Sequence, residues 1–156
     1  MFEKDESMKV LWNNITEPFI ESDKYVHVPI LNANDDKHWY KNGELHRDDG
    51  PAIEYANGTK QWFRNNKLHR DDGPALEYAD GTKIWYRNGK IHRDGGPAVE
   101  CASGDKHWYK NGELHRDDGP AKEYANGTKI WYRNGVKISF LRRMWEKFTT
   151  VANALN

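Results

Sequence analysis

Hydrophobic and polar residues alternate over short stretches of this chain, and the pattern restarts every 23 residues. In the unit from Gly73 to Arg87, Ala75 to Tyr78 has the pattern of a strand and Thr82 to Arg87 that of a returning strand. Between them, Ala79-Asp80-Gly81 is typical of a three-residue hairpin loop that ends in a glycine at positive φ. The pattern therefore predicts one β-hairpin in each unit.

This loop length also predicts the register of the hairpin. It places Tyr78 opposite Thr82, Leu76 opposite Ile84, and Ala75 opposite Trp85. A glutamate and a lysine then face each other in every unit, which cross-strand energetics favour. The four pairs are Glu54 with Lys60, Glu77 with Lys83, Glu100 with Lys106, and Glu123 with Lys129.

Alternation gives the hairpin two faces. One face carries Ala75, Glu77, Lys83, Trp85 and Arg87, and the other carries Leu76, Tyr78, Ile84 and Tyr86. Gln61, His107 and Lys122 fall on the second face elsewhere in the chain, so neither face is uniformly apolar. The sequence leaves open which face meets solvent.

The 23-residue period predicts a stacked array over residues 28–138, because one unit is too small to bury its own apolar surface. The array begins with a half-unit, Ile30 to Trp39, in which Asp35 stands at the position of Gly58. In the later turn of one unit, Asn66 replaces glycine, and asparagine tolerates the left-handed conformation. We expect an elongated, single-layer antiparallel sheet of stacked hairpins, an all-β repeat array.

The segments on either side of the array have a different pattern. Residues 139–156 place apolar side chains at steps of three or four, so the pattern predicts an amphipathic α-helix with Ser139 as its N-cap. Such a helix would cap the open sheet edge of the array. Residues 1–27 are predicted to cover the other end.

Composition narrows the class of protein. A hydrophobic content of 37%, an aromatic content of 13% and a mean hydropathy of −1.05 suit a thin sheet covered by large flat side chains. The formal charge is zero, with 24 basic and 24 acidic residues, which argues against a nucleic-acid partner. A single cysteine and the lack of a long apolar run predict a cytoplasmic protein without membrane contact.

A His-Arg-Asp loop recurs four times, and histidine beside carboxylates is a combination that can bind metal or transfer protons. Equivalent histidines in successive units would lie roughly 10 Å apart, too far to share an ion. We therefore interpret the loops as structural, with no metal, no cofactor and no catalytic residue. The loop residues are His46, Arg47, Asp48, His69, Arg70, Asp71, His92, Arg93, Asp94, His115, Arg116 and Asp117.

Five of the seven tryptophans recur with the same period, and a basic residue follows each of these five two positions later. Trp and Arg dominate interface hot spots, so this column is a candidate recognition surface. The alternative is that the aligned rings pack on each other as the core of the array. The candidate partner-binding residues are Trp39, Trp62, Arg64, Trp85, Arg87, Trp108, Trp131 and Arg133.

The segment Tyr86-Arg87-Asn88-Gly89-Lys90-Ile91-His92, followed by glycine and later by Asn-Gly or Asp-Gly, resembles a MORN repeat. This variant is similar to repeat proteins of bacteriophages and large DNA viruses, and to MORN-like bacterial antitoxins. The resemblance implies an elongated sheet used for protein association.

Together, the residues and the resemblance predict a non-enzymatic protein-binding module. The resemblance suggests a phage factor that acts in the bacterial cytoplasm by binding and inhibiting a host protein. The alternatives are a protein that sequesters a small ligand or nucleotide, and an antitoxin. The sequence leaves the oligomeric state open.

Overall fold

The computed structural model describes residues 29–139, and within this range the chain is all-β with no helix. The predicted lead-in, residues 1–27, lies outside the described residues. So does the predicted capping helix, of which only Ser139 is described. The described residues form a long antiparallel array of stacked hairpins, as the repeat predicts.

The first row of the array is one antiparallel sheet of ten strands, each two residues long. Its strands follow the chain order, so each hairpin pairs with the hairpin of the next repeat. They are β1 (Ile30–Leu31), β2 (Lys37–His38), β5 (Ile53–Glu54), β6 (Lys60–Gln61), β9 (Leu76–Glu77), β10 (Lys83–Ile84), β13 (Val99–Glu100), β14 (Lys106–His107), β17 (Lys122–Glu123) and β18 (Lys129–Ile130).

The second row consists of five separate two-stranded hairpins. Each follows a sheet hairpin in the chain. The pairs are β3 (Tyr40–Lys41) with β4 (Glu44–Leu45), β7 (Phe63–Arg64) with β8 (Lys67–Leu68), β11 (Tyr86–Arg87) with β12 (Lys90–Ile91), β15 (Tyr109–Lys110) with β16 (Glu113–Leu114), and β19 (Tyr132–Arg133) with β20 (Val136–Lys137).

The predicted register of the sheet hairpins is confirmed for the residues that pair, but the predicted pair of Ala75 with Trp85 is not among them. Lys83 pairs with Glu77 and Ile84 with Leu76, and the N–H of Tyr78 donates to the carbonyl of Thr82 at 2.9 Å. Gly81 closes the loop at a φ of 91°. This is the three-residue loop expected from the sequence, in which the last residue needs positive φ.

The same register extends across the boundaries between repeats. Lys83 faces Glu77 in its own hairpin and Glu100 in the next one. Repeated along the sheet, this pairing alternates basic and acidic side chains without interruption from Lys37 to Lys129. We call this row the Lys–Glu ladder. Lys37 and Glu54 approach each other to 3.7 Å, and no like charges face each other along the ladder.

The predicted returning strand, Thr82 to Arg87, is wrong as a single strand. The chain leaves the large sheet at Trp85, whose N–H donates to the carbonyl of Ala98 in the next repeat at 2.9 Å. Tyr86 and Arg87 then pair with Ile91 and Lys90 instead of continuing the sheet. The array therefore has two rows where the alternation predicted one sheet.

The turns of the second row require two successive residues at positive φ. Asn88 has a φ of 51° and Gly89 one of 78°, the combination that two-residue hairpin loops favour. At Asn66 the φ is 57°, so the asparagine adopts the left-handed conformation as predicted. In the first half-unit, Asp35 has a φ of 61° at the position that Gly58 occupies in the next unit.

The core is narrow and built from small residues. Four alanines that follow the loop prolines are fully buried, with no exposed surface: Ala52, Ala75, Ala98 and Ala121. The next position is also buried in three repeats, by Ile53, Leu76 and Val99, whereas Lys122 in the last repeat is half-buried. Ala75 and Leu76 lie on opposite faces of the hairpin and both are buried, so the core takes residues from both faces; Tyr78, on the Leu76 face, is 44% exposed. Burial beside Tyr78 and Tyr109 raises the pKa of Tyr86 on this side.

Candidate functional site

The four His-Arg-Asp loops, at residues 46–51, 69–74, 92–97 and 115–120, connect each second-row hairpin to the next strand of the large sheet. We call the border that they form the loop edge. It brings together the loop residues, the tryptophans and the basic residues that follow the tryptophans. The predicted site residues therefore lie at or beside this edge, except Trp131, for which the described residues show no loop arginine on the ring.

Each loop arginine lies over the ring of the tryptophan eight residues before it. The guanidinium carbon of Arg70 is 4.2 Å from the ring centroid of Trp62, and that of Arg93 is 3.8 Å from the ring of Trp85. Arg47 on Trp39 and Arg116 on Trp108 repeat the arrangement. This is the geometry of a cation–π contact. The cation on each of these rings is therefore the loop arginine, and not the basic residue that follows the tryptophan.

The same arginines reach the next repeat. Nη1 of Arg70 donates to the carbonyl of Pro74 at 3.3 Å and to Glu77 at 3.1 Å. The equivalent contacts to glutamate are Arg47 with Glu54, Arg93 with Glu100, and Arg116 with Glu123. One side chain thus joins a tryptophan, its own loop and the Lys–Glu ladder.

The glycine three residues after each arginine makes room for this stacking. A Cβ atom added at Gly73 would come within 2.9 Å of the guanidinium carbon of Arg70. The same distance holds for Gly50 with Arg47 and for Gly119 with Arg116. A side chain at these positions would therefore require the arginine to shift.

The loop histidines are connections between repeats. Nδ1 of His69 lies 2.8 Å from Oδ1 and 3.1 Å from the backbone N of Asn88, so it donates to the oxygen when protonated and accepts from the N–H when unprotonated. Its Nε2 lies 2.9 Å from Asp71 in its own loop. His69 is buried, with 8% of its surface exposed. The other His–Asn pairs are His46 with Asn65, His92 with Asn111, and His115 with Asn134.

The contacts of these asparagines with the histidines were not predicted from the sequence. The signal is present in the sequence, because His and Asn recur at a constant separation of 19 residues. The same repeat also places an asparagine four residues before each histidine, as with Asn65 and His69. Periodicity alone does not show whether a histidine contacts the asparagine 19 residues after it or the one four residues before it.

The basic residues that follow the tryptophans form the outer rim of the loop edge. Arg87 donates to Asp94 at 2.7 Å and also lies 3.1 Å from Nε2 of His92, and its side chain is 50% exposed. Arg64 has the same partners in its repeat, Asp71 and His69. These hydrogen bonds from arginine hold the pKa of Asp71 and of Asp94 below the ordinary value.

The rim changes at its ends. In the first repeat Lys41 approaches Asp48 at 3.5 Å. In the last repeat Arg133 turns to backbone carbonyls of the preceding loop, those of Arg116 and Asp117, and its side chain is 30% exposed. The half-exposed arginines therefore lie at the middle of the array.

A groove of about 350 Å³ separates the first two loops. Its walls are the loop segments 47–50 and 69–72, and its floor includes Trp62, Phe63 and Arg64. The lining is mostly charged. Within residues 29–139 no three His, Cys, Asp or Glu side chains lie close enough together to hold a metal ion.

No protein-family model matches the chain, and no curated protein matches it. The described part of the chain also contains no helix that is long and apolar enough to cross a membrane. The resemblance to MORN repeats therefore rests on the repeat motif itself and stays a prediction.

Proposed function

We propose that this chain is a non-enzymatic protein-binding module whose recognition surface is the loop edge. The observation that carries the proposal is the regular series of fixed Trp–Arg stacks flanked by half-exposed rim arginines and exposed aspartates. Trp and Arg contribute most to binding energy at protein interfaces. Side chains held by hydrogen bonds also lose little conformational entropy when a partner binds.

The charge of the edge favours a protein partner over a polyanion. Each rim arginine is already paired with an aspartate, so the edge alternates in sign instead of presenting continuous positive charge. Such a surface selects a partner by the position of complementary charges. The resemblance to phage repeat proteins extends the proposal, because the partner would then be a host protein that the chain inhibits.

A direct test uses the double variant Arg64→Ala/Arg87→Ala. Affinity capture from the native host, followed by calorimetry with the purified captured protein, should show binding to the wild type and at least about tenfold weaker binding to the variant. The matched control is Lys67→Ala/Lys90→Ala, which removes equal charge from the opposite strands of the same hairpins. Full binding by a folded Arg64→Ala/Arg87→Ala variant would exclude the rim as the recognition surface.

The groove beside Trp62 favours a second function, the sequestration of a small ligand or nucleotide. Its volume lies near the lower limit for small-molecule sites, about 300–1,000 Å³, but such sites are mostly apolar and this groove is mostly charged. Calorimetry with a nucleotide panel separates the two functions. Heat from nucleotides and from no captured protein would favour sequestration.

A further inference from the structure

The third loop differs from the other three at one position. In three loops Nε of the arginine donates to the aspartate two residues later, at 2.8–2.9 Å: Arg47 to Asp49, Arg70 to Asp72, and Arg116 to Asp118. In the third loop Gly95 stands at that position, after Arg93. Within the described part of the chain, Nε of Arg93 has no hydrogen-bond partner.

Arg93 keeps the other contacts that its counterparts make. Its Nη1 donates to the carbonyl of Pro97 at 3.0 Å and to Glu100 at 2.6 Å, and its guanidinium lies 3.8 Å from the ring centroid of Trp85. The side chain is 31% exposed, compared with 21–23% for the three equivalent arginines. A fixed guanidinium therefore presents a more open Nε edge in this loop.

The neighbouring carboxylate, Asp94, is directed to other partners. Asp94 already accepts from Arg87 at 2.7 Å through one oxygen, and its other oxygen lies 3.0 Å from His92. The loop also carries one negative charge fewer than the others, because glycine replaces aspartate. Both the geometry and the charge at this point are those of a site that lacks a carboxylate.

We propose that Arg93 is the anchor point for a partner protein, and that its Nε edge binds an aspartate or glutamate side chain of that partner. The partner's carboxylate would take the position that Asp49, Asp72 and Asp118 take in the other loops. Arginine suits this role because its planar donors match a carboxylate and remain charged at any physiological pH. This inference rests on the proposed protein-binding function and names the contact within it.

The site can be measured on the isolated protein by ¹H–¹⁵N spectra of the arginine Nε–H groups. The probe is the capped peptide acetyl-Ala-Glu-Ala-amide, with acetyl-Ala-Gln-Ala-amide as the uncharged control. We expect the glutamate peptide to shift the Arg93 Nε–H signal and the glutamine peptide to leave it unchanged. The signals of Arg47, Arg70 and Arg116 should stay in place, because those donors are already bound.

Two variants make the test specific. Gly95→Asp supplies the missing carboxylate, so the Arg93 signal should stop responding to the peptide and the affinity for the captured partner should fall by about tenfold. Gly95 has a φ of 75°, so this variant must adopt the backbone of the other loops. Asp72→Gly needs no such change of backbone, and it should make the Nε–H signal of Arg70 respond to the glutamate peptide as well.

Several outcomes would overturn the inference. These are no shift at Arg93, equal shifts at all four arginines, or a stronger response to inorganic phosphate than to the glutamate peptide. Equal affinity of the wild type and Gly95→Asp for the captured partner would overturn it while leaving protein binding intact. If the wild type binds no protein, the proposed function fails instead, whatever the peptide shows.

Discussion

The two rows of the array are held together by different interactions. In the large sheet, backbone pairing runs from one repeat into the next, as between β10 and β13. The second-row hairpins share no such pairing. They are joined by contacts such as His69 with Asn88 and by isolated backbone bonds, such as the one from the N–H of Gly89 to the carbonyl of Leu68. The sheet row therefore supplies continuity, and the hairpin row supplies the side chains of the loop edge.

The largest effect should come from breaking the sheet row. Leu76→Ala removes a side chain that is 5% exposed at the centre of the sheet. We expect the free energy of unfolding to fall by about 2–5 kcal/mol, because a core cavity adds to the loss of buried apolar surface. Chemical denaturation measures this. Val136→Ala, at a position 58% exposed, is the control and should change stability by less than about 0.5 kcal/mol.

A smaller and more local effect should follow from loosening the hairpin row. His69→Ala removes the contacts to Asn88 and Asp71, and we expect a loss of about 1–3 kcal/mol. Hydrogen exchange should accelerate at the backbone N–H of Asn88, which donates to His69, and remain unchanged at the backbone N–H of Tyr78 in the sheet. Uniform acceleration in both rows would contradict the division between them.

Asn88→Gly separates the contact of His69 with the side-chain oxygen of Asn88 from its contact with the backbone N–H. Glycine keeps the positive φ and the backbone N–H, but it removes the side-chain oxygen next to His69. This variant should lose less stability than His69→Ala. An equal loss would show that the side-chain oxygen carries the whole connection.

The stacking of arginine on tryptophan gives a further prediction. Gly73→Ala places a Cβ atom against the guanidinium of Arg70, which must leave Trp62 or shift on it. We expect a loss of about 1 kcal/mol and a change in tryptophan fluorescence. In a double-mutant cycle, Gly73→Ala should cost almost nothing further once Arg70 is replaced by Ala. Additive losses would mean that the glycine is required for the backbone alone.

The smallest effect concerns pH. Burial, with the nearby positive charge of Lys122, lowers the pKa of His107 below its ordinary value of 6.5. The folded protein therefore binds a proton less readily than the unfolded chain, so the contribution of His107 to stability is lost as pH falls from 6.5 towards the lower folded pKa. His107→Gln should flatten that part of the stability profile. Gln61 occupies the same register in the sheet, so the substitution fits.

The sequence predicted the parts of the fold that depend on neighbours in the chain. The loop at Ala79-Asp80-Gly81 and the pairing of Glu77 with Lys83 both follow from turn chemistry and alternation, and both are confirmed. The turn at Asn66 is confirmed for the same reason. Local steric rules determine such features, so one repeat contains enough information to infer them.

Contacts across repeat boundaries were harder to infer. A strict repeat offers each side chain the same partner in its own unit and in the next one, and the sequence does not distinguish the two. For this reason the pairing of Lys83 with Glu100 and the contact of His69 with Asn88 were not predicted. The exit of the chain from the sheet at Trp85 was also missed, because alternation continues through that residue.

The Lys–Glu ladder has a consequence for how such a chain can change in length. Removing residues 76–98 would bring Glu100 opposite Lys60, where Glu77 now pairs, and the sum of charges along the sheet would be preserved. Duplicating the same segment would add one lysine and one glutamate to the Lys–Glu ladder, in the same alternating order. Recombination can thus change the number of repeats while a lysine still faces a glutamate at every boundary between repeats.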